Sequence, residues 1–426
     1  MSKVVIVGAG PAGLFAALEL ADEFDVTLLE KGRNIGGSGL HSDGKINFHP
    51  LIGGDLTDFV SLREAWRIIG QIEETFRSFG IEGEKPQNGR WLRKKAAANG
   101  IRFIESKLAH IGSDNLPRLM REFRKVLEEK GVKIELGVEA KDLVIREGRV
   151  KAVKTTGGRY ACDYCILAPG RRGSFWLREL AEKYSLGFTH NPIDVGVRVE
   201  FPAEIMEEIV EAGFWDPKFH ILTKSYDDFV RNFCTNPYGF VTTEPYPDDL
   251  IGVNGYAMRS KKSENTNFAL LVRVALTHPL EDTSAYGKQI VMQANILGGG
   301  KPLIQRLVDL EAHRRSTWER IRKSRVEPTL REVTPGDITM AYPGRIVTDL
   351  MEAIEKLDRI MPGLAEGDTL LYAPEIKFYA LRIKTDRNLR TAIPNLFVAG
   401  DGAGVSRGIN GAAATGIIAA RGIKGG

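Results

Sequence analysis

Ten residues near the start, Val-Val-Ile-Val-Gly-Ala-Gly-Pro-Ala-Gly at positions 4–13, constrain this chain more than any other segment. Residues 4–7 are a short β-branched run, the pattern of a strand buried on both faces. Residues 11–21 have helical spacing, with Leu14, Ala17, Leu18 and Ala21 on one side. Residues 26–29 form a second buried strand that ends at Glu30. A strand, a glycine turn, a helix and a strand closed by an acid make a dinucleotide-binding unit. In Gly8-x-Gly10-x-x-Gly13 the first glycine permits the tight turn and the second lets backbone approach a pyrophosphate. The third lets helix pack close to strand. Pro11 and Ala12 open the helix, whose unpaired N–H groups and partial positive charge suit phosphates. Glu30, followed by Lys31, is placed to accept hydrogen bonds from ribose hydroxyls, and an acid there disfavours the 2′-phosphate of NADP. Alone, the turn leaves NAD and FAD both open.

A second glycine-rich segment, Leu-Phe-Val-Ala-Gly-Asp-Gly-Ala-Gly at 396–404, narrows that choice. Gly400 keeps the backbone close after a buried strand, and the Asp401 carboxylate can accept a hydrogen bond from a ribityl hydroxyl of FAD. Gly408-Ile409-Asn410-Gly411 begins a helix of small residues whose free N–H groups suit the flavin pyrimidine edge, where negative charge gathers on reduction. Ile166-Leu167-Ala168-Pro169-Gly170 is a third strand end made for close backbone approach, and Val138 follows a further strand. The expected cofactor is FAD, held by both ends of the chain.

At 426 residues the chain exceeds the usual size of one core. Its net charge of +4, from 59 Lys+Arg and 55 Asp+Glu, gives no case for nucleic-acid binding from bulk charge but leaves anionic substrates open. Three cysteines, Cys162, Cys165 and Cys234, cannot form a disulfide framework, which suits a reducing cytoplasm. The apolar start lacks the basic region and cleavage site of a signal peptide, and no charge-free apolar run reaches membrane-spanning length. A cytoplasmic location without membrane contact is the expectation.

The segments order into an α/β fold: a Rossmann-like FAD-binding domain, with a parallel sheet plus a β-meander, split around an inserted α+β substrate domain. The first is expected over 1–187 and 373–426, the second over 188–372. Residues 36–54 read as an extended loop and 61–79 as a helix. Ser113 or Asp114 could cap a helix running to Lys130, which Gly131 ends. Strands at 140–146, 149–155 and 160–167 form the meander, with turns at Glu147-Gly148 and Gly157-Gly158. In a strand over 160–167 the two residues Cys162 and Cys165 would point to opposite faces, which favours core cysteines over a redox disulfide.

These motifs resemble the glutathione-reductase-like FAD superfamily. Within it the chain looks like the "FAD-dependent dehydrogenase" family of two-domain flavoproteins, through Ser42-Asp43-Gly44-Lys45-Ile46-Asn47, Ala168-Pro169-Gly170-Arg171, 192–198, Asn232-Phe233-Cys234-Thr235 and the Asp401 motif. The resemblance implies FAD and a redox role, and it brings Ser42, Gly44 and Lys45 into the cofactor set. A second cysteine near Cys234 is absent, which counts against a paired-thiol mechanism.

Flavin does the hydride chemistry while protein places substrate and moves protons. His41 is a candidate acid/base in the loop after Glu30, with His49 nearby. Lys45 could put a cation near flavin N5, and Cys234 is a further candidate. Arg198, Arg382 and Lys384 could clamp a carboxylate. No metal site is expected. No second glycine turn follows a strand, so electrons would come from a small-molecule substrate, from NAD(P)H bound without its own Rossmann unit, or from a ferredoxin-like protein. The expected function is an FAD-dependent oxidoreductase, a dehydrogenase of a small organic substrate bound at the domain interface. The alternatives are an electron-transfer flavoprotein, a flavin-dependent RNA-modifying enzyme, and a protein in which FAD is structural.

Overall fold

The computed structural model describes residues 1–425 except 38–44, 55, 85–88, 112–114, 259–260 and 279–281. The chain divides into two compact units. One comprises Met1–Glu84, Ser106–Asn191 and Tyr379–Gly426, and the other Lys85–Glu105 and Pro192–Phe378.

The first unit is built on a five-stranded parallel sheet. Its order is Leu396–Val398, Tyr164–Leu167, Lys3–Val7, Asp25–Glu30 and Lys133–Leu136. Lys3–Val7 is central and fully apolar in its last four positions, as a strand covered on both faces must be. The strand that follows it in sequence lies on one side, and the two that come much later lie on the other. The order therefore reverses beside Lys3–Val7, and ligands of open α/β sheets bind at such a switch point, beyond the carboxyl ends of the strands. Helices Pro11–Leu20, Leu62–Ser78, Leu116–Glu129 and Gly408–Lys424 cover the sheet with one apolar core. Ser61 caps the second of these, its hydroxyl accepting the Glu64 N–H.

The meander is Ala140–Arg146, Arg149–Thr155 and Gly158–Ala161, a separate antiparallel sheet. The single strand expected over 160–167 is thus two strands in two sheets. Cys162 and Asp163 carry the crossing. The Asp163 carboxylate accepts the Lys3 N–H at 2.8 Å, and the Asn395 amide bridges Val150 and the Asp163 carbonyl. Cys162 lies at that break, outside the strand Tyr164–Leu167 that holds Cys165, so the alternation of a single strand does not set the pair's geometry. Both are buried, and the neighbouring thiol together with burial pushes the Cys165 thiol up, the opposite of what a reactive thiolate needs. The segment 36–54 is not loop throughout: Lys45–Phe48 is a strand paired with Lys107–His110. The expected caps Ser113 and Asp114 lie outside the described residues.

The second unit carries an eight-stranded, largely antiparallel sheet. Its order is Thr334–Pro335, Leu303–Arg306, Leu370–Lys377, Ile193–Pro202, Asn265–Val274, Phe229–Asn236, Lys218–Leu222 and Ile101–Ile104. Residues 85–105, read from sequence as part of the first domain, belong here because Ile101–Ile104 pairs with Lys218–Leu222. The strand Leu370–Lys377 crosses the expected boundary at 372/373, and the unit ends at Phe378. One sheet face, with Val195, Val197, Val199, Phe268 and Leu270, packs on helices that include Thr283–Gly298 and Gly344–Asp358. The other face mixes charged residues such as Asp194, Arg198 and Glu200 with a smaller apolar cluster that includes Ile304, Leu370 and Tyr372. No described helix is long and apolar enough to cross a membrane.

Candidate functional site

In the first unit, three strand ends bring Gly8–Gly13, Ala168–Gly170 and Gly400–Asp401 to the same edge of the parallel sheet. Gly8 turns at φ +102°, and a Cβ there would stand 2.1 Å from the Ala168 carbonyl oxygen. A Cβ on Gly13 would stand 1.9 Å from the Gly8 carbonyl oxygen. These two glycines are needed for packing. Gly10 is different. Its backbone is extended, at φ −78° and ψ −177°, and a Cβ there meets nothing within 4 Å among the described residues. Among the described residues Gly170 and Gly408 also face open space, whereas a Cβ on Gly402 would meet the Gly170 carbonyl oxygen at 2.3 Å. The site therefore separates glycines that let chain approach chain from glycines that leave room above the backbone.

Glu30 closes the turn from the far side. Its Oε2 accepts the Ala9 N–H at 2.9 Å and its Oε1 the Gly32 N–H at 2.7 Å. Each carboxylate oxygen retains a lone pair for a ribose hydroxyl. The Val138 N–H donates to the Glu30 carbonyl at 2.9 Å, which fixes the end of the neighbouring strand beside it. Lys31 is exposed and lies near Glu139. Gly36 N–H donates to the Ala9 carbonyl at 2.7 Å, so the chain after the acid folds back over the turn. Sequence reading missed Gly36-Gly37, although paired glycines in a loop following the acid were the available signal.

Asp401 has two hydrogen-bond partners among the described residues. Its Oδ1 accepts the Ser406 hydroxyl at 2.8 Å and its Oδ2 the Gly408 N–H at 3.1 Å, which ties the carboxylate to the first turn of the helix Gly408–Lys424. Burial pushes this carboxyl up, opposed by those two hydrogen bonds and by the nearby Arg171 and Arg407 guanidinium groups. Gly53 and Gly54 lie against the same helix start. The Arg407 N–H donates to the Gly53 carbonyl at 2.9 Å, and a Cβ on Gly411 would stand 1.7 Å from that carbonyl oxygen. Asn410 is buried. Its Nδ2 donates to the Asn47 carbonyl, and its Oδ1 has no hydrogen-bond partner among the described residues. A buried acceptor left unpaired is costly unless a ligand N–H or water meets it. Ile409 lines a small apolar cavity with Pro11, Ile46, Phe76 and Phe123.

The remaining candidates separate. His41, Ser42 and Gly44 lie outside the described residues. Lys45 is half-buried at the start of its strand. His49 holds its own loop, with Nδ1 accepting the Leu51 N–H at 3.1 Å and its ring edge-on to Trp66. Arg382 pairs with Asp58 at 2.6 Å and lies over the Phe59 ring. Cys234 belongs to the second unit, in a kink of Phe229–Asn236 with φ +48°. Its carbonyl accepts from Arg198 and Asn236. Arg198 is no substrate clamp. The side chain is fully buried, and its guanidinium donates to Glu375, Asn254, Asn267 and the Cys234 carbonyl. No cluster of three or more His, Cys, Asp or Glu suited to a metal occurs among the described residues.

Residues 3–92 match the family model described as FAD dependent oxidoreductase, and residues 192–377 match that of the FAD-dependent protein, C-terminal domain-like family. An uncharacterized protein of Clostridium beijerinckii is 25% identical over 453 aligned positions, covering 98% of this chain and 79% of its own. Among solved structures, L-proline dehydrogenase from P. horikoshii is similar at TM-score 0.45 and 13% identity, over 100% of this chain and 94% of that one. Glycine oxidase from Bacillus cereus is similar at TM-score 0.40 and 13% identity, over 100% and 95%. The family matches mark the chain as an FAD-dependent oxidoreductase. The first unit fits that cofactor on its own terms: open space above Gly10, acids at Glu30 and Asp401 with lone pairs to offer, and an unpaired acceptor on Asn410.

Proposed function

We propose that this chain is a dehydrogenase of a small organic substrate, with FAD held by the first unit through residues from both ends of the sequence. FAD supplies hydride and electron chemistry when bound. The first unit's own residues do the holding. Gly10, Ala12 and the helix that Pro11 opens offer N–H groups and a positive dipole end to the pyrophosphate. Glu30 takes the ribose hydroxyls, with Lys31 and Val138 beside it. Asp401, Gly170 and Gly400 receive the ribityl chain. Gly408, Ile409 and Asn410 meet the pyrimidine edge, where the helix start favours negative charge. Ser42, Gly44 and Lys45 complete the set, and His41, Lys45 and Cys234 are the candidates for proton transfer.

The observation that carries this reading is the convergence of the two terminal glycine segments on one sheet edge, with a Cβ on Gly400 only 3.1 Å from that of Ala12. It supports the resemblance to the glutathione-reductase-like superfamily and to the FAD-dependent dehydrogenase family. The Cys165 thiol, buried and pushed up by the neighbouring Cys162 thiol and by burial, is a poor relay for electrons. A small-molecule donor or NAD(P)H is therefore preferred, with a ferredoxin-like partner as the second reading. Anaerobic stopped-flow mixing of the yellow holoprotein with NADH, NADPH, reduced ferredoxin and a panel of small reductants tests this. Bleaching by a small molecule at turnover-competent rates supports a dehydrogenase. Bleaching by ferredoxin alone would replace it with electron transfer, and no bleaching by any donor would leave the FAD structural.

A further inference from the structure

Asn410 carries a hydrogen-bond acceptor that the first unit leaves unused. It is the third residue of the helix Gly408–Lys424 and is only 5% exposed. Its Nδ2 donates to the Asn47 carbonyl, which also accepts the His49 N–H at 3.1 Å. Asn47 is itself held by its strand. Lys45–Phe48 pairs with Lys107–His110, and Ile46 and Phe48, on either side of Asn47, belong to the apolar core. This fixes the sense of the Asn410 amide, because turning it over would set Oδ1 against the Asn47 carbonyl oxygen. Oδ1 is therefore an acceptor, and no described residue donates to it.

The donors nearest in sequence are committed elsewhere. The Ser406 hydroxyl and the Gly408 N–H go to Asp401, and the Arg407 N–H goes to the Gly53 carbonyl. The N–H groups of Ile409 and Asn410 lie in the first turn, where a helix has no partner of its own for them. A Cβ on Gly408 would meet nothing within 4 Å among the described residues, so the same turn opens on space. Two backbone donors and one oriented acceptor thus share a single turn, at the positive end of a helix of 17 residues. A phosphate or carboxylate would use the donors and be repelled by Oδ1. An imide edge, with a carbonyl oxygen beside an N–H, satisfies donors and acceptor together.

We propose that Asn410 reads the imide of the flavin pyrimidine ring, with Oδ1 accepting the N3–H while the first-turn N–H groups take the adjacent C2 carbonyl oxygen. Asn410 is then a specificity-determining residue that selects a flavin carrying hydrogen at N3, and the Asn47 carbonyl is the group that points its amide. The inference rests on the flavin reading of this site and deepens it, from a favourable dipole to a directional contact.

The test titrates apoprotein with FAD and with 3-methyl-FAD, in which a methyl group replaces the N3 hydrogen, and follows flavin fluorescence. The parent should prefer FAD by at least about tenfold, because the methylated ring leaves the buried Oδ1 unmet. In Asn410→Ala the two affinities should fall to within about twofold of each other. Damage to the fold alone would weaken both flavins alike and leave the ratio unchanged. Asn410→Asp keeps an oxygen acceptor in place and should keep the preference for FAD. Equal affinities in the parent, an undiminished preference in folded Asn410→Ala, or its loss in folded Asn410→Asp would overturn the proposal while FAD binding still stands. A parent apoprotein that binds neither flavin would overturn the flavin reading itself, and this contact with it.

Discussion

A Cβ placed on Gly416 would stand 2.1 Å from the carbonyl oxygen of Ala12, so the last helix of the chain crosses the first in backbone contact. That crossing seats the helix start at Gly408 and the helix start at Pro11 in one unit. Gly416→Val has no side chain to push aside, only backbone. It should destabilise the protein by about 3 kcal/mol, at the upper end of overpacking costs. A denaturant midpoint unchanged from the parent would mean that the helices do not meet at these residues.

Glu30 is expected to affect cofactor retention more than folding. Its two oxygens satisfy the Ala9 and Gly32 N–H groups, so Glu30→Ala releases the turn as well as removing the ribose acceptor. Losing acceptors for such groups costs about 1–3 kcal/mol, which predicts FAD affinity lower by about tenfold to a hundredfold. Glu30→Gln, keeping one oxygen, should lose less. Fluorescence titration of apoprotein with FAD checks the order, and equal losses for both variants would contradict the two-acceptor role.

Much of this arrangement was legible in the sequence because its cause is local. Gly8, Gly10 and Gly13 sit at fixed offsets between a β-branched run and a helix, and the strand ends before Gly170 and Gly400 carry the same small-residue signature. What was not legible depends on partners distant in sequence. Nothing local shows that Ile101–Ile104 pairs with Lys218–Leu222, or that Asn395 ties Val150 to Asp163 and so breaks the strand expected at 160–167. Arg198 was a reasonable clamp in a polar stripe until Glu375, 177 residues away in sequence, occupied it.

The Arg198–Glu375 pair, with both side chains fully buried and 2.6 Å apart, sets the next expectation. Removing one partner strands the other charge, so Glu375→Gln should cost about 3–5 kcal/mol. Arg198→Met with Glu375→Leu should recover most of that loss, because no isolated charge remains. Chemical denaturation of the three proteins tests it. A double variant no better than the single one would show that the surrounding amides, and not the charge, set the cost.

Asp349 predicts a pH dependence. It is buried on the helix Gly344–Asp358, and burial and the neighbouring Asp228 carboxylate raise it from 3.8 to about 6, opposed by Thr223 and Arg345. The folded state holds this proton more tightly than the unfolded chain. Its contribution is therefore fully present below about pH 4 and is lost as pH rises through about 6. Relative to the parent, Asp349→Asn should gain about 3 kcal/mol between pH 4 and pH 8. A stability difference flat across that range would show that Asp349 ionises as an ordinary carboxylate.

The flavin assignment rests most directly on Gly10. Its extended backbone accommodates any residue, and among the described residues a Cβ there meets only open space above the turn. Gly10→Val should fold with an unchanged melting temperature in the apo form, yet purify colourless and bind added FAD at least about a hundredfold more weakly than the parent. A folded Gly10→Val protein that is yellow, with one FAD per chain, would contradict the placement of the cofactor at this turn.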